Sequence, residues 1–174
     1  RRRTSSGRPW RGWHQVSRVA VIGAGSWGTA VSCLVAQNAD EVVLWSHGQG
    51  SADAINQTHH NPRYLADVEL PANVHATGDL AGAALGCSAV VLAAPSTHLR
   101  NISHELAESL GPDVPVLVLT KGIEAGTGLL MSEVAASELG GEQRVAALSG
   151  PNHAEEVSLK MFSAAVLASP SEEI

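Results

Sequence analysis

The chain has 174 residues, 44% hydrophobic, 16% charged and 3% aromatic, which suits one domain with a sizeable core and excludes disordered, collagen-like and cysteine-stapled classes. Its formal charge of −6 averages two unlike parts: residues 1–18 hold six arginines and no acid, whereas residues 19–174 hold five basic and seventeen acidic side chains, a net of −12. So acidic a domain argues against nucleic acid or membrane insertion as its business, and no apolar run reaches the roughly 18 to 20 residues that cross a bilayer.

Residues 1–17 read as a basic extension without fixed structure, and residues 18–174 as one domain. The opening has the arginines and serines of a transit peptide but lacks the apolar core of a secretory signal, and Trp10 and Trp13 fit neither. From Val19 the pattern becomes short apolar runs at 19–23, 41–45, 73–77, 88–94, 114–120, 144–149 and 163–169. Most are continuous rather than alternating, as strands buried on both faces of a parallel sheet are. Helical spacing fills 26–38, 79–85, 96–110, 127–139 and 152–160, and the alternation predicts an α/β, doubly wound, mostly parallel sheet. Function is then expected in the loops at the carboxyl ends of the strands. Residues 46–72 break the alternation: they are polar, rich in turn formers, and predict a long, partly irregular crossover. His47, His59 and His60 lie there, but no Cys or carboxylate joins them at ligand spacing, so no metal is expected. Cys33 and Cys87, the only cysteines, sit in apolar stretches and read as buried thiols in a reducing, cytoplasmic setting.

The first run ends in Gly23-Ala24-Gly25-Ser26-Trp27-Gly28 and passes straight into a helical pattern. In this setting Gly23 would allow the tight turn, Gly25 would let a pyrophosphate reach the backbone, and Gly28 would let the helix pack on the strand. Free N–H groups and a partial positive charge of about half an elementary unit at the helix start would face the phosphates. About 20 residues on, where NAD-selective sites commonly carry an acid for the ribose 2′-OH, the chain has Leu44-Trp45-Ser46-His47, and no carboxylate comes before Asp53. NADP, or dual use of NAD and NADP with NADPH favoured, is the expectation. Pro95 ends the fourth run, beside the glycine loop, with Ser96 expected to cap the next helix. Lys121 ends the fifth run and carries an ammonium group to the sheet edge, and Ser149-Gly150-Pro151-Asn152 ends the sixth and opens onto a helix start suited to an anion.

In order and interval these loops resemble the bacterial-type NAD(P)-dependent glycerol-3-phosphate dehydrogenases, from about Val19 to Ser169: GAGSWGTA, EVVLWSH, INQTHHNPRYL followed by ELPANVHAT, AAPSTHLR, TKGIE and LSGPNHAEEV. The resemblance implies a Rossmann-like domain and reversible hydride transfer between NAD(P)H and dihydroxyacetone phosphate, giving sn-glycerol 3-phosphate for phospholipid synthesis. It carries cofactor contacts onto Ser26, Trp27, His47 and Ala154, substrate contacts onto Gly150 and Asn152, and Lys121 onto their junction. Asn152 departs from the Ser or Thr usual in the family, His153 from Phe, and Lys160 to Ser163 from Pro-Thr. The family's proton-transfer lysine belongs to a helical second domain, which the resemblance puts beyond residue 174 together with the homodimer contact, so this chain reads as the cofactor-binding half. Alternatives are a related dehydrogenase of 3-hydroxyacyl-CoA or 6-phosphogluconate type, against which TKGIE and SGPNHAEE speak, and a noncatalytic NAD(P) sensor. A methyltransferase would want an acid after the second strand, where Trp45-Ser46 offers none.

Overall fold

A computed structural model of the chain describes residues 16–171. The expectations for Trp10, Trp13 and the rest of the basic segment up to residue 15 lie outside these. Strand β1 (Val16–Ile22) begins three residues before its apolar run and pairs with β2 (Ala39–Trp45) from Val16↔Ala39 onward. The remaining strands are β3 (Val74–Thr77), β4 (Ala89–Leu92), β5 (Val116–Val118), β6 (Val145–Ser149) and β7 (Val166–Ala168). They form one sheet in the order β3-β2-β1-β4-β5-β6-β7, parallel from β3 through β6. The chain runs outward from β1 to β3, then returns to lay β4 against the other side of β1. That reversal opens a crevice at the carboxyl ends of β1, β2 and β4.

The helices are α1 (Ser26–Val35), α2 (Gln49–Thr58), α3 (Leu80–Ala84), α4 (Ser96–Ala107), α5 (Met131–Leu139) and α6 (Ala154–Ser158). Successive strand residues point to opposite faces, and both faces are covered. Ala20, Ile22, Val90, Leu92 and Val116 pack under α3, α4 and α5, where Leu99, Leu106 and Val134 are wholly or almost wholly buried. Val19, Val21, Val42 and Leu44 pack under α1 and α2 with Val31 and Ile55. This two-sided cover is why the strands read as unbroken apolar runs.

Three expectations change. Residues 46–72 contain a regular helix, α2, whose polar sequence conceals it because only Ala52 and Ile55, three residues apart, are buried. The seventh run is not a doubly buried parallel strand: β7 pairs antiparallel with β6 at the sheet edge, and Val166, Leu167 and Ala168 are exposed because no described helix covers them. Cys87 is buried but Cys33 only half-buried, and desolvation pushes both thiols above their ordinary pKa.

Side-chain amides complete the β3 edge. Asn56 donates from Nδ2 to Ala76 O at 2.8 Å and accepts from Ala76 N at 2.7 Å, standing in for a further strand. Asn73 Nδ2 donates to Ala36 O (3.0 Å) and Ala39 O (2.9 Å), which ties the entry of β3 to the turn before β2.

Candidate dinucleotide and substrate site

The carboxyl ends of β1, β2 and β4 open onto a cleft of about 660 Å³. A second space of about 370 Å³, running toward β5 and α6, shares Gly25, Ala93, Ala94 and Pro95 with it. The glycine loop forms their common floor.

Each glycine answers to a different constraint. Gly23 has φ +119°, a conformation that L side chains rarely adopt, and a Cβ there would lie 2.8 Å from the backbone of Ala93 and Ala94. A Cβ on Gly28 would lie 1.8 Å from the carbonyl oxygen of Gly23, so α1 can meet the loop only through glycine. Gly25 is unlike both: a Cβ there meets no protein atom within 4 Å, and its φ of −78° is open to any residue. Nothing in the protein demands glycine at 25. The position is an open cradle over the N-terminus of α1, which no side chain caps and whose first N–H groups therefore lack intrahelical partners.

The loop is held from outside by Asn61, a residue that the motif alone does not reveal. Its amide is 3% exposed and donates from Nδ2 to Ala24 O at 2.9 Å and to Thr29 Oγ1 at 2.8 Å. The Asn61-Pro62 pair, a turn signal inside the unusual crossover, is the feature that could have drawn attention to it. Thr120 plays a comparable part on the other side, donating from Oγ1 to Ala94 O at 2.7 Å.

At the end of β2, Trp45 is buried and donates from Nε1 to Gly78 O at 3.1 Å. Ser46 is buried, whereas His47 is exposed, its ring edge-on to Trp45 at 6.1 Å between centroids. Asp53 accepts from Gln49 on α2 at 2.8 Å and does not line the cleft. Among the described residues the carboxylate that does is Glu105 of α4, on the β4 side. His59 takes the left-handed position that ends α2, and the Nδ1 of His60 lies 2.9 Å from Ala66 O.

Gly23, Gly25, His47 and Pro95 thus line the first cleft, and Gly25, Ser26, Trp27, Pro95, Lys121, Asn152 and Ala154 the second. Gly28 lies buried beneath the loop. Gly150 lines neither space but holds Lys121, whose Nζ donates to Gly150 O and to Asn152 Oδ1, each at 3.0 Å. Both acceptors are neutral and put no negative charge against the ammonium, and among the described residues one of its three N–H donors is unspent. Asn152 is 8% exposed, and its longer side chain reaches Lys121 where a hydroxyl would be shorter. Two local expectations need correction. Ser96 does not cap α4: it is the first helical residue, and the cap position falls to Pro95. Gly150 and Asn152 lie in a turn ahead of a five-residue helix whose cap is His153, rather than at a helix start.

The loop that follows Lys121 is fastened to α4 and α5. Arg100 donates from Nε and Nη2 to the two oxygens of Glu124 at 2.8 and 2.7 Å, and from Nη1 to Glu138. Thr127 adds a hydroxyl to Glu124 at 2.6 Å. The Arg100 bonds first, and then Thr127, hold the Glu124 carboxyl down to about 2.

A family model described as the NAD-dependent glycerol-3-phosphate dehydrogenase N-terminus matches residues 18–174. A curated glycerol-3-phosphate dehydrogenase (NAD(P)+) of Salinibacter ruber is 41% identical over 156 residues, 88% of this chain and 45% of the relative. One of Streptomyces coelicolor is 42% identical over 158 residues, 90% of this chain and 47% of the relative. Among solved structures, glycerol-3-phosphate dehydrogenase from Coxiella burnetii superposes with a TM-score of 0.83 at 30% identity, over 92% of this chain and 49% of that one. The chain spans about half the length of the curated relatives it matches. By its sequence, its sheet and its glycine loop, this chain belongs to the NAD-dependent glycerol-3-phosphate dehydrogenase family, in the region that forms the N-terminal part of its members.

Proposed function

We propose that residues 18–174 are the dinucleotide-binding domain of an enzyme that interconverts dihydroxyacetone phosphate and sn-glycerol 3-phosphate with NADPH or NADH. The observation that carries this reading is the cradle at Gly25: an open position over an uncapped helix N-terminus, where a side chain would trouble no protein atom but would occupy the path of a pyrophosphate. The dinucleotide, when bound, supplies the hydride for the substrate carbonyl. Ser26, Trp27, Pro95 and Ala154 would flank it toward β5 and α6, and Ser46 and His47 would receive its adenosine ribose. Among the described residues no carboxylate lines that end of the first cleft, which supports NADPH, since an acid would repel a 2′-phosphate.

Lys121 would bind the substrate, with Gly150 and Asn152 orienting its ammonium from behind. Its neutral partners leave the charge available for an oxygen or phosphate of the triose, which favours an enzyme over a noncatalytic sensor. Proton transfer belongs, on the family resemblance, to a lysine outside this chain, and so does the homodimer contact. A base has to stand within hydrogen-bond reach of its proton, so the isolated chain would bind the cofactor without turning over the triose. Two free thiols suit a reducing cytoplasm.

Titrating the 174-residue chain with NADPH and with NADH, followed by a spectrophotometric assay with dihydroxyacetone phosphate, tests this. Saturable binding, tighter for NADPH, without substrate-dependent oxidation is the expected outcome. Binding of neither nucleotide overturns the cofactor assignment, and turnover by the isolated chain overturns the division of labour.

A further inference from the structure

We infer that Arg63 is the permanent positive charge that grips a phosphate of the dinucleotide in the larger cleft, a role that rests on the cofactor reading above. Four arginines fall among the described residues, and three of them give their guanidinium groups to protein acceptors. Arg18 meets Glu41 at 3.2 Å, Arg100 meets Glu124 and Glu138, and Arg144 donates to the carbonyls of Val114 and Gly111 at 2.9 and 2.7 Å. Arg63 does none of this. Among the described residues its guanidinium contacts no acid, and it lies over the ring of Tyr64, 5.7 Å from the centroid. Stacking of that kind steadies the group while leaving its five N–H donors unspent.

Its position is built rather than incidental. The Oδ1 of Asn61 accepts from the backbone N–H of Arg63 at 3.2 Å, while the same amide holds Ala24 and Thr29 on the glycine loop. One buried side chain therefore locks the turn that carries Arg63 against the loop that carries Gly25. Among the described residues Arg63 is also the only arginine or lysine on the lining of that cleft, which otherwise holds imidazoles on both sides and Glu105 on the β4 side. In a segment with a net charge of −12, helix N–H groups alone would have to draw a polyanion inward against the surrounding field. An unpaired guanidinium on the rim reverses that field locally and offers planar, two-point bonding to phosphate oxygens.

The test is titration of the full 174-residue chain, of Arg63→Gln and of Arg63→Lys with NADPH and with NADH. Loss of a charge-assisted contact predicts roughly ten- to hundredfold weaker binding for Arg63→Gln, and a smaller loss for Arg63→Lys, which keeps the charge but not the fork. Equal loss with both nucleotides assigns the pyrophosphate, and loss with NADPH alone assigns the 2′-phosphate. Because Arg63 is exposed, both variants are expected to melt with the parent chain. A change under threefold with both nucleotides in folded Arg63→Gln overturns the proposal. A parent chain that binds neither nucleotide overturns the cofactor reading instead.

Discussion

Glycines 23, 25 and 28 stand within six residues of one another, and a methyl group added to each would do something different. At Gly28 it would meet the Gly23 carbonyl at 1.8 Å, closer than any neighbour can yield without separating α1 from the end of β1. Gly28→Ala is therefore expected to destabilise the fold by about 2–3 kcal/mol or more, read as a lower urea midpoint with an unchanged slope. At Gly25 the same methyl would stand free, so the cost of substitution appears only when the ligand arrives. The motif was legible as a spacing, and two of its three expected roles follow from contacts inside the protein. Asn61-Pro62 was legible as a turn but not as a support of the loop, because that task depends on a crossover of some thirty residues folding back onto it.

The elements divide along the same line. Strands β1 to β6 were readable as short apolar runs, mostly unbroken because both faces are covered, and helices α1, α3, α4, α5 and α6 by their helical spacing. Helix α2 was hidden by having two buried residues, and β7 was misread because an exposed edge strand and a doubly covered one can share an apolar composition. The β5–α5 loop shows how an element can be fixed by charge rather than by burial. Glu124, three residues beyond Lys121, is held at about 2 by Arg100 and Thr127, against an ordinary value of 4.5 that the unfolded chain regains. Its contribution is complete above about pH 4.5 and is lost as the pH falls through about 2. Acid unfolding followed by circular dichroism should show this loss over that window in the parent chain. In Arg100→Met the Glu124 part of it should be missing, with lower stability already at neutral pH.

At the scale of the whole molecule, the proposed function asks an acidic domain to bind phosphates, which it would do by a few local devices. The uncapped start of α1, Lys121 with two neutral partners, and Arg63 with no acid beside it among the described residues each create a small positive region in an acidic domain. They border two adjoining spaces at the carboxyl edge of the sheet, Arg63 the first and Lys121 the second, with Gly25 at the start of α1 common to both. The chain covers about half of each curated relative, and the proposed function gives it the binding half of the chemistry. That assignment turns on Gly25. Calorimetric titration of NADPH into the parent chain and into Gly25→Val, with circular dichroism on both, tests it most directly. Two equally folded proteins, of which only the parent binds, are expected. Unchanged NADPH affinity in Gly25→Val would contradict the assignment.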